Sequence, residues 1–160
     1  MQFTQSISYP GTVDEVVTMY LTPAYLERRF GQFVVEGSQV VSVEGERVSF
    51  AGTVRPELIP AAAARFVKSD LRISFTEEWA TNEAGAASRT SVTVDGAPVS
   101  VEATSTLTSA EAGSVRDVTG NVSVRVPLLG GRIEKEAVAH LGRVVEREQA
   151  LATQWLEEHR

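Results

Sequence analysis

The sequence predicts an α+β domain in which a curved antiparallel sheet of about seven strands holds one long C-terminal helix. Three stretches carry that reading. In residues 131–158, Ile133, Ala137, Leu141, Val144, Leu151, Ala152, Trp155 and Leu156 recur in steps of three and four, which builds one helical stripe. No proline interrupts it, so it reads as a single helix of roughly seven turns. From Phe33 to Ser109 the chain is nearly all alternating residues and turn formers, the pattern of hairpins. Two short helical segments follow directly on the first strand. A stripe this long needs a wide apolar partner, and a strongly twisted sheet curls enough to offer a concave one.

Taken in order, residues 2–9 alternate, with Phe3, Ile7 and Tyr9 on one face and Gln5 as that face's exception, which makes a first strand. Pro10-Gly11 turns the chain, and Thr12-Val13-Asp14-Glu15 has the form of a capping box. Val13, Val16, Val17 and Tyr20 give that helix its apolar face. Thr22-Pro23 reads as a second N-cap, opening a short helix through Phe30. Residues 32–43 and 46–54 flank Glu44-Gly45 as a hairpin, with Val48, Phe50, Gly52 and Val54 on one side. Residues 55–69 carry two prolines and four consecutive alanines, and the prolines predict a crossing loop over a short helical turn at 61–64. A loop of this length containing Leu58, Ile59 and Phe66 is expected to cover something.

Beyond it, Leu71, Ile73, Phe75 and Trp79 alternate with Arg72, Ser74, Thr76 and Glu78, a strand with one face wet. A second hairpin turns at Asp95-Gly96, and a third starts at 109–113. Residues 117–120 are expected to break the last strand at a bulge on Gly120. The strand should resume at Asn121 and stop at Pro127. The first strand pairs beside the last, because hairpins occupy the other edges.

Composition narrows the function classes. With 160 residues, 42% hydrophobic and 22% charged, the chain suits one globular domain, 1–160. A net charge of −6 disfavours binding to a phosphate backbone. Zero cysteines exclude disulfides, thiolate metal sites and a cysteine nucleophile. The start, MQFTQSISYPG, has neither a basic flank nor an apolar run, and no stretch approaches the ~20 apolar residues of a membrane span. The expectation is a cytoplasmic protein without integral membrane association.

The order of elements, together with particular motifs, resembles the helix-grip superfamily, the START-like, polyketide-cyclase-like or birch-pollen-allergen-like proteins. More narrowly it is similar to the mainly actinobacterial domain of unknown function 2505. The motifs are SYPGTVDEV at the start, the proline-flanked loop before Phe66, Glu78-Trp79, DGAPVSV at 95–101, VPLLGG-IEK at 126–135 and Trp155-Leu156. The resemblance spans essentially the whole chain, but turns and packing residues make it up, so it specifies a fold and carries over no catalytic residue. It implies a cavity between sheet, short helices and long helix that takes an apolar small molecule.

The residues themselves supply a lining for such a pocket. Tyr25, Leu26, Phe30, Leu58, Ile59, Phe66, Leu128 and Leu129 come from the short helices and loops, and Phe50, Phe75, Leu141 and Val144 from the sheet and the stripe. The alternative is that they fill a solid core. Gly130-Gly131 fits a tight turn, since neither GxGxxG nor a P-loop lysine accompanies it. His140 and His159 lie in no metal or catalytic spacing, and no serine lies in GxSxG. No metal, cofactor or catalytic residue is therefore expected.

Glu148 is the exception. It lies near the centre of the apolar stripe, where a carboxylate must be paired, hydrogen-bonded or protonated. It is either in a structural ion pair with an inward arginine, exposed at a cavity mouth, or functional, holding a ligand's polar end or acting as acid or base. The resulting reading is a domain that binds a small apolar or amphipathic molecule, lipid- or polyketide-like, in an internal cavity. A cyclase or hydratase on the same scaffold would need at least two polar side chains converging there. A protein-interaction module would have a filled core.

Overall fold

The alternating stretches pair into one seven-stranded antiparallel sheet in the order β1-β7-β6-β5-β4-β3-β2. The computed structural model describes all residues except Pro60, Phe66, Lys68 and Ser69, and the side chain of Ala62. After β1 (Gln2–Tyr9) come α1 (Val13–Tyr20) and α2 (Pro23–Phe30). The strands then run β2 (Val40–Glu44), β3 (Arg47–Thr53), β4 (Arg72–Asn82), β5 (Gly85–Asp95), β6 (Val99–Ala110) and β7 (Gly113–Val124). The chain closes with α4 (Gly130–Glu158). β1 pairs with β7, as the hairpin count requires. Among the described residues no helix is long and apolar enough to cross a membrane.

The capping box at Thr12 forms in full, with its oxygen accepting from the Glu15 amide and the Glu15 carboxylate accepting from the Thr12 amide. Thr22 occupies the expected N-cap position, but its hydroxyl donates back to the Thr18 carbonyl at 2.6 Å and caps nothing. Pro23 at the first turn sets the helix instead.

Four expectations change. Residues 32–39 are not strand: Gly37 turns left-handed at φ 82°, and Val34 keeps an isolated bridge to Val54. Ser38 closes that turn, its hydroxyl accepting from the Thr53 amide. β7 is unbroken through Gly120. Glycine stands there because a Cβ would lie 2.5 Å from the Phe3 ring and 2.8 Å from the Glu102 carbonyl, a close approach in place of a bulge. The loop at 55–69 holds a 3-10 turn, Pro56–Leu58, and a single-turn helix α3, Ala61–Ala64. Pro56 opens the 3-10 turn instead of abolishing it.

The fourth concerns the stripe on α4. Ala152, Trp155 and Leu156 are buried, but Ile133, Leu141 and Leu151 are half-buried and Val144 is 48% exposed. The helix packs chiefly on β1 and β7, so its N-terminal two-thirds stands over space that the sheet does not fill.

Candidate functional site

Two cavities occupy the space beneath α4. The first, of about 220 Å3, is almost wholly apolar and lies under the 3-10 turn and α3. Leu58, Ile59, Ala63 and Val67 cover it, Leu71, Val94, Val99 and Val124 floor it, and Ile133 closes the helix side. Leu58 and Ile59 are both in the lining of this cavity, although Leu58 remains 47% exposed.

The second cavity, of about 170 Å3, lies further along the same groove. Leu141, two turns beyond Ile133 and ~12 Å along the axis, lines it with Val144, Val145 and Glu148. Facing them are Thr90, Val101, Ala103 and Val118, with Arg29, Glu77 and Arg116. A larger concavity, about 690 Å3, is elsewhere, across the outer face of β4 to β7. Exposed polar side chains such as Glu78, Arg89, Thr104 and Asp117 line it. An open polar surface holds a small apolar ligand poorly, so the groove under α4 is the stronger candidate.

A charged layer floors the second cavity. Glu148 faces inward, as its helical phase predicts. It accepts from Tyr20 at 3.0 Å and from Arg29 Nε at 3.1 Å, with Nε 2.8 Å from its other oxygen. Tyr20 has one hydroxyl proton and spends it on Glu148, so in the 2.6 Å contact between Tyr9 and Tyr20 Tyr9 is the donor. Glu148 therefore has both an arginine partner and a cavity before it. The ion-pair and cavity-mouth readings coincide.

A second pair lies deeper. Arg116 Nη2 donates to Glu77 at 2.9 Å, and the two side chains are 4% and 1% exposed. Glu77 also accepts from Trp79 Nε1 at 3.0 Å and Thr90 at 2.7 Å. Arg116 Nε donates to Ser105, whose hydroxyl shares a 2.6 Å bond with Ser88. The guanidinium groups of Arg29 and Arg116 each lie 4.9 Å from the Tyr20 ring, close enough for cation–π attraction.

Electrostatics keeps the deeper pair ionised. Burial pushes Glu77 up, but the Arg116 guanidinium, then Arg29 and the Thr90 hydroxyl, outweigh it and hold the carboxyl below its ordinary value. Burial likewise works against the charge on Arg116, and Glu77 restores it and more. Tyr20 is driven well above the usual phenol value by burial and then by the Glu148 carboxylate. It stays a donor at any ordinary pH.

The other residues expected at the pocket divide. Tyr25 and Leu26 are completely buried and belong to packed clusters. Phe50 and Phe75 are buried and sandwich the half-buried Phe30 at ring distances of 4.8 and 4.7 Å. Leu141 and Val144 line the second cavity. Leu129 is half-buried at the start of α4.

Leu128 is a correction: it is fully exposed and left-handed at φ 70°. Gly130 packs so tightly under the Val124 carbonyl that a Cβ would lie 2.2 Å from it, and this turn throws Leu128 outward. Phe66 lies outside the described residues.

Arg29, Glu77 and Arg116 were missed, yet each was in phase. Glu77 falls between Phe75 and Trp79 on the inward side of β4, Arg116 follows Ser114 on that of β7, and Arg29 continues the step from Leu26.

Comparison with known proteins comes to the same architecture. The family described as "Protein of unknown function (DUF2505)" matches residues 4–156. An uncharacterised protein of Mycobacterium tuberculosis (strain ATCC 25618 / H37Rv) is 25% identical over 166 residues, covering 96% of this chain and 95% of its own. Among solved structures, Ara h 8.0201 superimposes with a TM-score of 0.62 at 10% identity, over 99% of this chain and 98% of its own. A norcoclaurine synthase point mutant from Thalictrum, in complex with a transition-state analogue, gives 0.56 at 11%, over 99% and 94%. At such identities the likeness is one of fold.

Proposed function

The chain belongs to the DUF2505 family and has the helix-grip fold, and from that premise we propose that it binds a small apolar or amphipathic molecule in the groove under α4. One observation carries the reading: the 220 Å3 cavity is lined almost entirely by aliphatic side chains and is covered by a loop with its own apolar residues. Ligand sites have this composition, apolar walls with a few placed polar groups, and the neighbouring charged layer supplies the latter. The cavities weigh against a filled-core interaction module. Arg29, Glu77, Arg116 and Glu148 do converge as an enzyme would require. Each is already engaged in an ion pair, which favours a structural and recognition role over proton transfer.

Nuclear magnetic resonance titration tests the reading. Adding 2-decanone to 15N-labelled protein should shift the amides of Val94, Val99, Val124 and Ile133. The substitution Ala63→Phe, which fills the apolar cavity from α3, should suppress those shifts with melting temperature equal or higher, as filling a void does. Shifts absent from these positions, or untouched by Ala63→Phe, would sink the proposal.

A further inference from the structure

The chemistry of the ligand's polar end follows from the charged layer, on the assumption that the groove binds a ligand as proposed above. A guanidinium carries five N–H donors. Arg29 reaches Glu148 through Nε, while its Nη1 is buried with no acceptor among the described residues. Around the group stand the rings of Tyr20, Phe30 and Phe75, at 4.9, 4.8 and 5.2 Å. Ring faces attract the cation but offer no lone pair, so the group has donors to spare. Because Arg29 lines the cavity, the complementary ligand atom is an oxygen acceptor.

Charge balance says which kind of oxygen. Arg29 and Arg116 bring two positive charges, and Glu148 and Glu77 bring two negative ones, each at bonding distance from its partner. The layer is already neutral. A ligand carboxylate would enter a largely apolar cavity beside two other carboxylates with no cation left over to compensate it. A ketone, ester or alcohol takes the same donors and adds no charge. A ligand ammonium would meet donors with donors. We propose that the second cavity selects an uncharged oxygen acceptor at the end of an apolar chain and discriminates against carboxylate.

The test uses three ligands of similar length at ~pH 8, well above a carboxyl's ordinary range: 2-decanone, methyl nonanoate and decanoate, the last two matched in carbon and oxygen count. The wild-type protein should bind both neutral compounds at least ~10-fold more tightly than decanoate, with the Arg29 Nε–H signal moving on binding. Decanoate binding as well as the ketone would overturn this inference while leaving the cavity reading intact. Failure of all three to bind overturns both.

Glu148→Gln gives a second, independent handle. It keeps the shape of the side chain and removes one negative charge, leaving the layer at net plus one. Decanoate affinity should then rise at least ~10-fold while that for 2-decanone moves less than ~3-fold. Unchanged discrimination in the folded variant would overturn the charge-balance argument. The wild-type comparison stands even where the variant does not fold.

Discussion

α4 carries one apolar stripe from end to end, yet its two ends meet different surroundings. Near the C-terminus Ala152, Trp155 and Leu156 are buried. Trp155 packs edge-on against Tyr25 at 5.4 Å, takes the Arg28 guanidinium at 5.1 Å and stacks on His159 at 3.9 Å. Toward the N-terminus Ile133 and Leu141 are half-buried, Val144 is open, and cavities lie below. The cause is on the facing elements. Tyr9, Tyr20, Tyr25 and Trp79 fill the closed end with rings, whereas Thr90, Val94, Val99 and Ala103 leave the other end unfilled. A helical stripe says which face turns inward, and the volume opposite decides whether the interior is solid.

The largest expected effect tests the closed end. Trp155→Ala should cost ~3–5 kcal/mol in urea denaturation, the range for truncating a packed aromatic. A loss near zero would mean that the last turns of α4 are not docked, and the contrast between the ends would disappear.

Next in size is the layer dividing the two ends. Trp79 and Thr90 donate to different oxygens of Glu77, so Glu77→Gln keeps an acceptor for one of them only, and it leaves Arg116 buried without its counter-charge, at a cost of ~3 kcal/mol or more. The same carboxylate shapes the acid response. Its folded-state pKa is depressed below 4.5, so its contribution is fully present above that value and is lost as the pH falls towards and through the folded-state value. Urea midpoints should therefore drop below ~pH 4.5 in the wild type, and drop less steeply in Glu77→Gln. Parallel acid profiles for the two proteins would remove Glu77 as a source of that slope.

The architecture was legible because it is written in periodicity. Steps of three and four fixed α4 to within a residue or two, and alternation gave β1, β4 and the hairpin at Asp95-Gly96. The capping box at Thr12 needed four residues to read. Glu148 was found by the same helical phase. Its partners were in phase too, but an inward arginine or glutamate on a strand looks like an error in the alternation until its counter-charge is seen. Glu77 and Arg116 are distant in sequence and stand on β4 and β7, with two other strands between them in the sheet. No local pattern joins them. Cavity volume was equally out of reach, because it depends on how far α4 leans toward β1 and β7. Leu128 shows the converse, an apolar residue that reads as lining and is turned out by the backbone beside Gly130.

The smallest expected effect is at the open end. Val144 lies on the stripe with Leu141 and Leu151, and periodicity alone would bury it. Val144→Thr keeps the shape and adds a hydroxyl, a change that costs ~1–3 kcal/mol where the hydroxyl is buried without a partner. At 48% exposure, on the rim of the second cavity, that hydroxyl reaches water, so stability should stay within ~0.5 kcal/mol of wild type. Urea denaturation at neutral pH reads the difference directly. A loss above ~1.5 kcal/mol would show that Val144 is packed in solution. α4 would then close onto the sheet over the second cavity, leaving the ligand's polar end no room beside Arg29.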